Sequence, residues 1–104
     1  MIKITTTPFS IGKQHSVELN DFVPKGGFEV FLKDVCLHLG AEFVKWYQGF
    51  ESGIGEIIYE KYQMTVFWTD FPEHLSFDCK NKDMAEKIQK EMEGYFCLHE
   101  DRWL

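Results

Sequence analysis

The segment EIIYEKYQMTVFWTDFPEHLSFDC, residues 56–79, decides the fold. Tyr62, Met64, Val66 and Trp68 alternate with Gln63, Thr65, Phe67 and Thr69; further on, Leu75, Phe77 and Cys79 alternate with His74, Ser76 and Asp78. A period of two sends one set to each side of a strand. Residues 62–69 and 74–79 therefore predict two strands, each with one apolar and one mixed side. Asp70-Phe71-Pro72-Glu73 has turn chemistry, and residues 56–60 predict a third strand, joined to 62–69 by a hairpin around Glu60-Lys61. Contiguous strands with short links predict an antiparallel meander.

Upstream, residues 41–48 predict a strand with Phe43, Lys45 and Tyr47 on one side and Val44, Trp46 and Gln48 on the other. Both sides are partly apolar, which fits cover on both. Gly49 to Gly55 reads as a glycine-rich turn. Before it, Phe28, Phe31, Leu32, Val35, Cys36 and Leu39 share one helical face, and Gly40 is suited to end that helix. The turn-forming run at 20–27 precedes it. Two short strands open the chain, at 2–11 (Ile2, Ile4, Phe9, Ile11) and 14–19 (Val17, Leu19), with Gly12-Lys13 as the turn and Pro8 marking an edge or a break. Downstream, Asn81 is placed to cap a second helix whose stripe is Met84, Ala85, Ile88, Met92 and Tyr95; Gly94 weakens its end. The final residues, Trp103 and Leu104, are too apolar for a free tail and are expected to dock on the domain or on a neighbour.

The order β-β-α-β-β-β-β-α over residues 1–104 predicts one α+β domain: a mostly antiparallel sheet of about five to six strands, with two helices packed on one face. Hydrophobic residues make up 44% of the 104 and aromatics 16%, which excludes a disordered chain. Seventeen acids against 11 bases give a net charge of −6, which disfavours nucleic acid and anionic membrane as partners. No run approaches the roughly 20 apolar residues of a membrane span, and the first eight residues lack the apolar core of a secretory signal. Three cysteines, Cys36, Cys79 and Cys97, read as reduced thiols of a cytoplasmic protein, with a Cys79–Cys97 bridge left open.

Chemistry is sought and not found in the pattern. Cys36-Leu37-His38 and Cys97-Leu98-His99 repeat a Cys-x-His spacing, but positions two apart in a helix point about 200° from each other, so one ion cannot take both. No metal or other cofactor is expected. His74, Ser76 and Asp78 share a strand face, yet neighbours two apart along a strand stand about 6.5–7 Å from one another, too far for a hydrogen-bonded relay. The stretch around Gly49, Gly53 and Gly55 has no lysine and no following helix to cradle phosphate. What remains is charge and rings. From Trp46 to Cys79 there are six acids (Glu51, Glu56, Glu60, Asp70, Glu73 and Asp78) against one base, Lys61, among nine aromatic residues. Such a surface suits a basic protein partner.

In size, charge, lack of a catalytic motif and acidic, aromatic sheet, the chain resembles the small α+β immunity proteins of bacterial contact-dependent growth inhibition systems. The passage from Phe31 to Val44, a helix followed by Leu39-Gly40-Ala41 and a strand, also looks like that of small uncharacterised bacterial proteins. The immunity resemblance implies tight binding to a toxin domain, often a nuclease, with occlusion of its active site and no catalysis. Carboxylates would then stand in for phosphates. The expected contact set is those six acids, with Trp46, Phe67 or Trp103 as aromatic anchors. The alternative is a non-catalytic interaction or homo-oligomerisation module using the open sheet face and Trp103-Leu104; an enzyme acting on a small acidic substrate is the remaining possibility.

Overall fold

The computed structural model describes residues 3–8, 15–70 and 73–103. The elements are β1 (Lys3–Pro8), β2 (His15–Asn20), α1 (Phe28–Leu39), β3 (Glu42–Gln48), β4 (Ser52–Tyr59), β5 (Tyr62–Asp70), β6 (Glu73–Cys79) and α2 (Lys82–Trp103). The strands form one six-stranded sheet in the order β1-β2-β6-β5-β4-β3, and every neighbouring pair is antiparallel. This is the expected α+β sheet with both helices on one face. The Gly12-Lys13 turn and residues 71–72 lie outside the described residues, although β1 and β2 pair as expected, with Thr6 opposite Val17.

β3 to β6 form the meander. The N-terminal hairpin joins it through β2, which pairs with β6 rather than with β3. α1 therefore carries the chain across the sheet, from β2 to the far edge at β3. The helix can do so because Phe28, Phe31, Leu32, Val35 and Cys36 are buried on one stripe, and because Gly40, in the left-handed conformation (φ 69°), turns the chain out of it. α2 starts where Asn81 Oδ1 accepts the Met84 amide at 2.9 Å. It lies over β1, β2 and β6, while α1 lies over β3.

Three sequence expectations need correction. First, β4 begins at Ser52, so Gly53 and Gly55 are strand residues and the turn is confined to 49–51. They are glycine because the Trp46 ring lies across them: a Cβ on Gly55 would sit 2.7 Å from Trp46 Cε3 and 3.2 Å from Leu32, and one on Gly53 would overlap the same ring. Second, a bulge between Phe43 and Lys45 breaks the alternation of β3. Phe43 and Trp46 both turn to the core side, leaving Lys45 and Tyr47 on the other. Third, α2 runs through Gly94 to Trp103, because its last turn has something to bury. Trp103 is 3% exposed and meets the Phe31 ring edge-on at 5.3 Å. Its Nε1 donates to Tyr95 Oη at 2.6 Å, Tyr95 donates to Asp34 Oδ2 at 2.7 Å, and Arg102 lies 3.3 Å from Asp34. Trp103 is a core residue and is not available as an anchor for a partner.

The core lies between helices and sheet. Val17, Phe77, Val66, Gly55 and Trp46 form one row across it, register partner to register partner. Among the described residues, no helix is long and apolar enough to cross a membrane.

Candidate interaction surface

The sheet face away from the helices is built by the same registers, one residue out of phase. Thr5, Glu18, Ser76, Phe67, Ile54 and Tyr47 stand opposite one another in successive strands and make a single row across it. Its β3–β5 half is apolar and open: Tyr47 is 73% exposed, Ile54 44% and Phe67 37%. Together with Gly49, Ser52 and Gly53 these line a shallow cavity of about 140 Å³. Phe50, at the turn beside it, is 94% exposed. A run of exposed rings and an isoleucine joined by a cavity marks a binding surface more strongly than single exposed side chains do. The helix layer has exposed apolar residues of its own, Val30 and Leu37 on α1 and Leu98 on α2, but Val30 stands beside the Glu29–Lys33 ion pair.

The β2–β6 half of the face is acidic. Glu18 faces Ser76 and Asp78 faces Ser16, so the two carboxylates are diagonal neighbours across one strand pair. Ser16 donates to Glu18 Oε1 at 3.4 Å. No described cationic side chain forms an ion pair with either carboxylate. Partial burial raises the Asp78 pKa from its ordinary value, and the Glu18 charge raises it further. A folded-state pKa raised in this way means that charging Asp78 costs the fold stability.

The other predicted acids divide into groups. Glu56 is on the open face, where it is occupied: Gln63 donates to it at 2.9 Å and Lys45 lies at 3.9 Å. Glu51, Asp70 and Glu73 gather at one end of the sheet, held by the Asp70 amide donating to the Glu51 carbonyl; Asp21, whose amide donates to the Glu73 carbonyl, joins them there. Glu60 is in the β4–β5 turn at the opposite end, paired with Lys87. Of the proposed rings, Phe67 is on the open face. Trp46 is half-buried under α1, 5.6 Å from the Phe28 ring, and bonds Gln48 through its indole nitrogen. The open face thus brings together Glu56, Asp78 and Phe67 from the sequence-derived set and adds Glu18, Tyr47 and Ile54. The alternation of Val17 and Leu19 in β2 is visible in the sequence; the start of β4 at Ser52 and the pairing that aligns Glu18 with Phe67 are not.

The nucleophile candidates are tied elsewhere. Ser76 is buried and its hydroxyl donates to the Phe67 carbonyl at 3.4 Å. His74 Nδ1 lies 3.5 Å from Thr69 Oγ1. Burial pushes the Cys36 thiol up to about 11 and the Cys79 thiol up to about 12, so both are protonated near neutral pH. Cys79 is buried and Cys97 exposed, and all three cysteines are free thiols, with no Cys79–Cys97 bridge. The described residues contain no group of three or more His, Cys, Asp or Glu side chains arranged to hold a metal ion. Comparison with protein-family models, with curated proteins and with solved structures gave no match to the chain.

Proposed function

We propose that this chain is a binding protein that neutralises a basic protein partner, in the manner of toxin-immunity proteins, by covering it with the open face of the sheet. One observation carries the reading. Glu18 shares a cross-strand row with the exposed Phe67, Ile54 and Tyr47, and Asp78, its diagonal neighbour, stands on the same face one row over; no described cationic side chain pairs with either carboxylate. Keeping two half-buried like charges together lowers stability, and a face that does so is suited to a cation brought by something else. Rings beside the charges supply the desolvated contact area on which interface energy concentrates. The active site of a nuclease toxin, built to hold phosphates, is one surface of the required sign.

Self-association through the same face is the weaker reading, because it would set Glu18 and Asp78 against the like charges of a second copy. The test is protection. The protein encoded next to this chain in its genome, taken as the candidate toxin, is expressed with wild-type chain or with Glu18→Lys/Asp78→Lys. The wild type is expected to rescue growth and to co-purify with the toxin, and the folded variant to do neither. Equal rescue by both would end the proposal, as would toxicity unaffected by the wild type.

A further inference from the structure

The face away from the helices carries an apolar cavity and a pair of half-buried carboxylates, with the buried Ser16 and Ser76 between them, at a fixed separation. Strands in a sheet are about 4.8 Å apart. The Glu18–Asp78 pair lies between β2 and β6, and the cavity centres on β4 with Phe67 and Tyr47 to either side. Two to three strand spacings separate them, about 10–14 Å. The cavity, at about 140 Å³, is roughly ten times what one water needs, which is room for a side chain. Its lining of Tyr47, Ile54 and Phe67 suits an apolar one.

We infer that the face receives one segment of a protein partner, with a cationic side chain seated between Glu18 and Asp78 and an apolar side chain seated among Tyr47, Ile54 and Phe67. This rests on the binding reading above and adds to it the chemistry of the partner. Arginine fits the acidic socket best, since its planar fork can meet two carboxylates at once, whereas lysine offers a single point charge. In an extended segment, residues four apart lie on the same side and about 13 Å from each other, which matches the spacing of the sockets. Charge decides the occupant: a segment with glutamate or aspartate at the first position would place a third negative charge beside two that already repel. Lys45 is turned to Glu56, and no described cationic side chain forms an ion pair with Glu18 or Asp78.

The probe is a phage-displayed library of random dodecapeptides, selected on immobilised wild-type protein and counter-selected on Glu18→Gln/Asp78→Asn. Enriched peptides are expected to share an arginine or lysine with a leucine, methionine or aromatic residue about four positions away. Their affinity should fall at least tenfold on Glu18→Gln/Asp78→Asn and, independently, on Tyr47→Ser/Phe67→Ser. Both variants are checked for native circular dichroism; amide shift mapping on the wild type is expected to mark β2, β4, β5 and β6 and gives an answer even where a variant fails to fold. Peptides without a cation, shifts confined to the helix layer, no enrichment, or a stable dimer that buries Tyr47 would each overturn the inference. If such peptides dock as described while the chain gives no protection from the neighbouring gene product, the two-socket face stands and the toxin reading falls.

Discussion

Replacing Trp103 tests the C-terminal end of the fold and the assignment of that residue to the core. Its side chain is 3% exposed, packs edge-on against Phe31 at 5.3 Å, and donates to Tyr95 Oη at 2.6 Å. The Trp103 carbonyl also accepts the Lys25 amide at 2.9 Å, which ties the end of α2 to the loop before α1. Removing a buried tryptophan ring costs about 3–5 kcal/mol, a large share of the roughly 5–15 kcal/mol a domain has. The Trp103→Phe change keeps a ring and removes the indole donor; Tyr95 still donates to Asp34, so the loss should be nearer 1 kcal/mol. Urea unfolding measures both. With a slope of about 1–3 kcal/mol per molar, the Trp103→Ala midpoint should fall by more than about 1 M at unchanged slope. Trp103→Phe should fall by a fraction of that and retain full binding on the opposite face. A Trp103→Ala variant within about 1 kcal/mol of wild type would refute the docked tail and return Trp103 to the surface.

Three more substitutions probe separate parts of the account. Gly94→Ala should stabilise by about 0.5–1 kcal/mol in thermal unfolding, since Gly94 is mid-helix and a Cβ there meets nothing within 4 Å. Gly55→Ala should cost about 1–3 kcal/mol and shift Trp46 fluorescence, since the new methyl lands against that ring and against the Lys45 carbonyl at 2.9 Å; an unchanged melting temperature would refute the stacking. Asp78→Asn should be more stable than wild type near pH 7. The folded pKa of Asp78 is raised, so the folded state holds the proton more tightly than the unfolded one, and wild type loses stability as pH rises from the ordinary carboxylate value through the raised one. The gap should close below about pH 4, where Asp78 is protonated in both states, and melting curves across that range check it.

The parts of this fold set by local pattern can be read along the chain. The stripe from Phe28 to Cys36, the alternation in β5 and β6, the Glu60-Lys61 hairpin and the Asn81 cap each depend on neighbours within a turn or a strand. What depends on distant partners cannot be read so. Gly53 and Gly55 resemble turn residues until Trp46 is laid over them from the next strand. Val44 gives no sign of the bulge that turns both Phe43 and Trp46 inward. Gly94 resembles a helix end until Trp103 is seen to have Phe31 and Tyr95 to pack on. The candidate surface was legible by composition and not by address. The acids and rings of residues 46–79 were visible, but their division between the open face and the two sheet ends follows from strand register, and Glu18 enters only because β2 joins β6.

The central claim is that the open sheet face, through Glu18, Asp78, Tyr47, Ile54 and Phe67, is the part of this molecule that meets its partner. Hydrogen exchange of the chain alone and in complex with the protein captured from its host measures this directly. The account predicts slowed exchange in β4, β5, β6 and β2 with the outer surfaces of α1 and α2 unchanged. Protection confined to the helices, with the sheet exchanging as it does in the free chain, would contradict it.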